Sequence, residues 1–390
     1  MEFNQSHVAP LIDDEFQGQA SKRVLSYIQG KRRQGMPVAG LYCVYAPMEL
    51  IRAAGVVPAG LCSFANKTIP PAEAVLPANL CPLIKSSYGF IVTDSCPFFA
   101  LADVVIAETT CDGKKKMFEL ITGYKPLFVM DLPQLPDQEE ACRNWTAMIR
   151  NLGGFLEKTF ERRISEARLE EEIQATNVKN NLMNRLFGYA AATPPVLSWN
   201  EAYELGLLAQ AASTEDLQPV LEHALETLEQ RKVSGVHYGK PRAPRVLVTG
   251  CPLGGDSLKA YRIIEEAGGV IVALDACTGM KPFKHFIEEG SGDPLAALAA
   301  YYLKIPCSCM TPNQKRLDDL DALIERFRPD AVVDVVLHAC HAYNVESYKI
   351  MNHLKERHRL PLLKIETDYS NGDVEQIRTR VEALFDSLDR

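Results

Sequence analysis

The chain has only two tryptophans, no Cys-x-x-Cys pair, no surplus of positive charge and no apolar run approaching a bilayer span. Each absence removes a class of protein. Without ~20 consecutive apolar residues no membrane helix is expected, and without a basic segment leading into an apolar one at the start no secretory signal is expected. The expected compartment is therefore the cytoplasm. A formal net charge of -8, from 42 Lys and Arg against 50 Asp and Glu, argues against nucleic acid or an anionic membrane as partner, because both select a basic face. The missing C-x2-C spacing leaves structural zinc with little support.

Cysteine is what the chain has in excess: 11 in 390 residues. A reducing cytoplasm and an odd count both speak against a disulfide framework. The thiols are then buried small hydrophobes, catalytic groups or metal ligands. Hydrophobic residues make up 47 % and charged residues 24 %, which is enough apolar material for two or three domain cores.

Strand-like runs alternate with helical patterns twice along the chain. PVAGLYCVY (37–45), VVPAGL (56–61), DVVIAETT (103–110) and PLFVMDLP (126–133) read as strands, with helices over 47–55 and 113–123. From about 137 to 233 the sequence turns to charged, Leu-containing helical runs, and the stretch YGKPRAPR (238–245) marks a boundary. RVLVTG (245–250), GVIVALD (269–275), AVVDVVL (331–337) and PLLKIE (361–366) then read as strands, with helices near 256–267, 294–303, 317–328, 344–357 and from 373. The expected fold class is α/β: two Rossmann-like parallel-sheet domains, 1–136 and 241–390, with a helical insert or linker subdomain over 137–240.

Open parallel sheets bind ligands beyond the carboxyl ends of their strands. On this reading Cys43, Cys111, Cys251, Cys277 and Cys340 fall at strand ends, and Cys81, Cys307 and Cys309 lie in loops able to reach the same rim. Cys62, Cys96 and Cys142 look surplus. Burial explains thiols inside strands better than thiols gathered in loops, and widely separated thiolates supplied by a fold suit an iron–sulfur cluster. Cys111 also precedes a helix, whose free amides favour a thiolate. The turn GCPLGG is neither a dinucleotide fingerprint nor a Walker loop, but its glycines offer unhindered amides. The run Lys114 to Lys116 reads as a solvated helix face. Glu49, Glu108, His338 and His341 are candidate proton donors, or else caps, ion-pair partners and satisfied loop groups.

YCVYAPMELIRAAGVVPAGL, NLCPLIKSSYGF, ETTCDGKKKMFE, VLVTGCPLGGD, DACTGMKPF, CSCM, DVVLHACHAYNVES and LLKIETDYSNGDVEQIRTRVEALF together resemble the 2-hydroxyacyl-CoA dehydratase and benzoyl-CoA reductase subunit family. The resemblance covers both α/β segments and is weakest in the helical insert. It implies a cubane held by three cysteines, here Cys81, Cys111 and Cys340. The further thiols resemble the double-cubane-cluster reductase branch, in which six cysteines hold an [8Fe-9S] unit; the second set would be Cys43, Cys307 and Cys309, with Cys251 and Cys277 as substitutes. The branch implies an anaerobic, homodimeric oxidoreductase, fed low-potential electrons by a separate ATP-hydrolysing [4Fe-4S] activator and acting on a small-molecule substrate. Two alternatives stand beside it: the single-cubane component of a 2-hydroxyacyl-CoA dehydratase, and a non-catalytic iron–sulfur carrier.

Overall fold

A computed structural model describes residues 9–12 and 14–388 of the chain. Eight strands form two four-stranded sheets, parallel throughout. The first contains β1 (Val38–Leu41), β2 (Val57–Gly60), β3 (Val104–Glu108) and β4 (Leu127–Met130) in the order β2-β1-β3-β4. The second contains β5 (Arg245–Gly250), β6 (Val270–Asp275), β7 (Ala331–Leu337) and β8 (Leu362–Thr367) in the order β6-β5-β7-β8. This is the expected α/β architecture. Both sheets share one topology, so each has a switch point between its first and third strands, where consecutive crossovers leave in opposite directions and open a crevice.

Alternation along the strands divides the core. Val105 and Ala107 point to one face of the first sheet, and Val104 and Ile106 to the other. Val105 and Ala107 share a single apolar core with Val246, Val248, Val333 and Val335 of the second sheet. The inner faces of the two domains therefore belong to one continuous packing unit. Strands β3, β5, β6 and β7 are buried along their whole length, which is why they read as unbroken apolar runs rather than alternating ones.

The segment between the sheets is helical as expected, with helices Glu139–Phe160, Glu166–Gly188, Trp199–Ala211 and Thr214–Val233. These helices share cores with both sheets. Trp145, Ile149 and Leu152 pack with Val104 and Ile106, while Leu205, Leu221 and Leu228 pack with Leu247 and Val272. Among the described residues no helix is long and apolar enough to cross a membrane.

Four helices were not apparent from the sequence: Ala20–Arg33, Ile69–Glu73, Pro82–Val92 and Pro97–Leu101. The clearest reason lies in Pro82–Val92, where every residue except Phe90 and Val92 is buried. A helix covered on nearly all sides has no polar stripe, so it shows no 3.6-residue period. Gly89 permits that covering, because a Cβ there would lie 1.8 Å from the Thr68 carbonyl oxygen.

A candidate cluster site between the two sheets

The two crevices face each other, and cysteines occupy both. Cys43 follows β1 and Cys111 follows β3; Cys251 follows β5 and Cys340 follows β7. Each sheet thus contributes a thiol from either side of its own switch point. Cys62 and Cys277 follow β2 and β6, and Cys307 with Cys309 come from the turn after helix Pro294–Tyr302.

The thiols fall into two adjoining groups. In the first, Cys81 and Cys340 are side-chain partners, and Cys340 is also partnered by Cys251. These three pack with Cys62 against the core shared by the sheets. In the second, Cys307 and Cys309 are partners, with Cys43 and Cys277 beside them, all against the core on the outer face of the first sheet. Cys111 lies within electrostatic reach of Cys81 and of Cys307, one from each group. Two surplus thiols are placed differently: Cys142 lies inside helix Glu139–Phe160, while Cys96 caps Pro97–Leu101 by accepting the Phe99 amide. Cys62 is a correction. Instead of being remote, it sits at a strand end, donates to the Tyr42 carbonyl at 2.9 Å and neighbours Cys81 and Cys111.

Backbone geometry aims these loops. Gly250 has φ +117° and turns the chain so that the Cys251 amide donates to the Val335 carbonyl at 2.8 Å, while the Leu337 amide donates to Cys251 Sγ at 3.4 Å. Ala339 takes φ +57°, a left-handed conformation unfavourable to a residue with a Cβ, directly before Cys340. Cys81, Cys111 and Cys340 each occupy the position before the first turn of a helix: Pro82–Val92, Asp112–Ile121 and His341–His353. Unpaired first-turn amides and the positive end of the helix dipole face each sulfur.

The GCPLGG turn serves a different purpose from open amides. A Cβ on Gly254 would lie 2.6 Å from the Phe64 ring, and one on Gly255 2.5 Å from the Phe64 carbonyl oxygen. The Asp256 amide donates to that carbonyl at 2.8 Å, and Asp256 Oδ2 accepts from the Asn66 amide at 2.7 Å. The two glycines therefore let the second domain close onto the first. A second clamp joins the Cys43 and Cys307 loops: Tyr45 Oη donates to the Ile305 carbonyl at 2.9 Å, and the Met48 amide donates to Tyr302 Oη at 3.0 Å.

Lys114 corrects the expectation of a solvated face, although Lys115 and Lys116 do reach solvent. Lys114 is buried, donates to the Tyr42 carbonyl at 3.0 Å and neighbours Cys43, Cys62, Cys111 and Glu108. Lys281 and Arg316, both buried, provide the same field beside Cys277 and Cys307. Burial raises the Cys43 and Cys62 thiols, and pushes Cys277 up to about 11. Cys307 goes the other way, down to about 5, because Cys309 donates to it and Lys281 and Arg316 add positive potential.

Buried atoms without a hydrogen-bond partner border these thiols, among them Glu108 Oε2, Lys281 Nζ, Tyr343 Oη and Tyr369 Oη. Tyr343 adjoins Cys251, Cys277 and Cys307, and Tyr369 adjoins Cys62, Cys81, Cys251 and Cys340. Orphaned buried polar atoms are costly in a dry interior unless something absent from the polypeptide satisfies them. Soft sulfur donors, helix amides, buried cations and unpartnered hydroxyls together fit an anionic iron–sulfur group. Burial lifts Glu108 to about 7 against the pull of Lys114 and the Ala46 amide, which donates to Oε1 at 2.8 Å.

The remaining candidate acids are either already engaged or open to solvent. Glu49 is fully hydrogen-bonded, accepting from Thr176 Oγ1 at 2.9 Å and Tyr302 Oη at 2.8 Å. His338 and His341 are exposed to solvent. Tyr343 has no signal of its own in the sequence and Lys114 reads there as solvated, although each lies three residues after a cysteine that starts a helix, Cys340 and Cys111, a spacing that returns a side chain to the same face.

Comparison with known proteins places the whole chain in one family. Over 382 residues the chain is 41 % identical to an Escherichia coli (strain K12) protein provisionally named dehydratase subunit YjiM, covering 97 % of this chain and 98 % of that one. It is 25 % identical to the lactoyl-CoA dehydratase subunit beta of Anaerotignum propionicum, over 92 % and 93 % of the two chains. It is 22 % identical to a benzoyl-CoA reductase subunit of Thauera aromatica, over 88 % and 89 %. The family model for the 2-hydroxyglutaryl-CoA dehydratase D-component matches residues 43–388, from the first rim cysteine to the end of the second domain, and the chain belongs to that family.

Proposed function

We propose that the chain is an iron–sulfur reductase that accepts low-potential electrons from a separate ATP-hydrolysing [4Fe-4S] activator and reduces a small substrate. The bound group would be an [8Fe-9S] double cubane on Cys81, Cys111 and Cys340 together with Cys43, Cys307 and Cys309, in a homodimer. The observation that carries this reading is the pairing of two adjoining thiol groups, each with at least three sulfurs, on opposite sides of Cys111. One cubane needs only one of them. Cys251 and Cys277 stand within the same two groups as substitute ligands.

When bound, such a group supplies low-potential one-electron transfer. The chain's own residues prepare the site for it. Lys114, Lys281 and Arg316 favour thiolate over thiol, while ligation of Cys43, which burial keeps protonated, would release a proton and be favoured by rising pH. Tyr343 and Tyr369 offer hydroxyl donors to acceptors beside the thiols. Glu108 holds a proton near neutrality and has one carboxyl oxygen free to deliver it. Electrons would enter from the activator and a proton would come from Glu108.

A second reading is favoured by the names of the relatives, two of which are dehydratase subunits. In it Cys81, Cys111 and Cys340 hold one cubane, the other thiols are structural, and the chain acts on a 2-hydroxyacyl-CoA with a homologous subunit. Anaerobic purification followed by iron and acid-labile sulfide analysis separates the two. About eight irons per chain supports the double cubane and about four the single one. An iron-free protein that remains inactive with its activator overturns both. Cys111→Ser should lose most of its iron.

A further inference from the structure

A second set of ligand-type side chains lies at the far end of the helix that Cys340 starts. Helix His341–His353 runs on into a π-helical turn, Leu354–His358, before Arg359 at φ +55° ends it. At 1.5 Å per residue the far end lies about 20 Å from Cys340.

The π turn has a specific effect. In a regular α-helix two residues five apart point about 140° away from each other. Widening the last turn brings His353 and His358 to one side, with ring centroids 5.8 Å apart and Nε2 of each 2.6 Å from the same oxygen, Oδ1 of Asp321. Asp321 lies on the neighbouring helix Gln314–Phe327, and its other oxygen is 3.1 Å from Arg357 Nε. The ligand atoms of Asp321, His353 and His358 all lie within 4.8 Å of one another, and no other set of three or more His, Cys, Asp or Glu among the described residues converges as tightly. The three residues are half-buried, with side-chain exposures of 14–19 %.

Simple ion pairing explains this arrangement poorly. One carboxylate oxygen would accept from two imidazoles at distances shorter than the usual N–H to O range while its partner oxygen holds a guanidinium. A π turn is rare and usually marks a functional position. A common cation accounts for the π turn and for the convergence of two ring nitrogens on one oxygen, the three ligand atoms opening from their 2.6 Å contacts to the wider spacing of a metal's coordination shell.

We propose that Asp321, His353 and His358 bind a divalent transition-metal ion of the zinc class, with water completing the coordination and Arg357 holding the second carboxylate oxygen. Two neutral imidazoles and one carboxylate suit zinc, cobalt or nickel, whereas hard ions such as calcium prefer all-oxygen sites. The ion would clip helix Gln314–Phe327 to the end of helix His341–His353.

The test uses the full chain with its thiol site loaded, so that cysteine does not compete. Zinc binding is measured by equilibrium dialysis on wild type, His353→Gln, His358→Gln, Asp321→Asn and Arg357→Ala. About one zinc per chain should be held by wild type and Arg357→Ala and lost in the other three. Zinc should raise the melting midpoint of the first two only. Cobalt in place of zinc should give, in the difference spectrum against the same protein before cobalt is added, d–d absorption without a new sulfur charge-transfer band. Equal zinc content in wild type and the His353 and His358 variants, or a cobalt spectrum dominated by sulfur, would overturn the site.

Discussion

Gly250→Ala tests whether backbone geometry at the end of β5 sets up the thiol site. Gly250 has φ +117°, and an added Cβ would lie 2.1 Å from the Val335 carbonyl oxygen, 2.8 Å from its carbon and 2.9 Å from Asp334 Oδ1. None of these atoms is a flexible tip that can swing aside, since two are backbone of the central strand β7 and the third belongs to a carboxylate that accepts from Ser347. Holding a non-glycine residue at this φ costs about 1–3 kcal/mol. Separating β5 from β7 breaks the bond from the Cys251 amide to Val335, and leaving that buried carbonyl unpaired adds about 1–3 kcal/mol. The expected loss is therefore about 2–6 kcal/mol, seen as a fall of roughly 3–7 °C in melting midpoint for a chain of this size. Gly60→Ala is the matched control, because nothing lies within 4 Å of its added Cβ and its φ is ordinary; it should shift the midpoint by no more than about 2 °C. Anaerobically purified Gly250→Ala should also hold less iron, because Cys251 and its partner Cys340 are displaced together. A Gly250→Ala protein that melts within a degree of wild type would refute the steric argument, and a destabilised one with full iron content would separate Cys251 from the thiol site.

Other buried groups give further expected outcomes. Glu108, held to about 7 by burial, is protonated below that pH and ionised above it, so activator-dependent turnover should fall as pH rises through about 7; Glu108→Gln should lower turnover and abolish that limb of the profile. Lys179 is buried beside Arg52 and held down to about 7, so between pH 7 and 10.5 the unfolded chain binds more protons than the folded one and stability rises with pH. Lys179→Met should flatten that slope and stabilise the protein by about 2–4 kcal/mol at pH 7, measured by denaturant unfolding. Trp145, fully buried between helix Glu139–Phe160 and the first sheet, should cost about 3–5 kcal/mol when replaced by Ala without altering iron content.

Short-range patterns were enough to read the α/β class, the twofold repetition and the gathering of thiols at strand ends from the chain alone. Fully buried parallel strands appear as apolar runs such as AVVDVVL, and the residues that follow a strand fall at its carboxyl rim by construction. The family motifs around Cys111 and Cys340 were legible for the same reason, being contiguous in the chain. Which thiols share a group was settled only by the folding of the chain in three dimensions. That Cys340 partners both Cys81 and Cys251 depends on how two domains close, and that closure rests on Gly254 and Gly255 admitting Phe64 from 190 residues earlier in the chain. The burial of Lys114 beside exposed Lys115 and Lys116, the return of Cys62 to the site and the meeting of His353 with Asp321 are likewise set by neighbours distant in sequence. No local pattern carries that information, because charge and spacing say which face a side chain takes and packing alone says what that face meets.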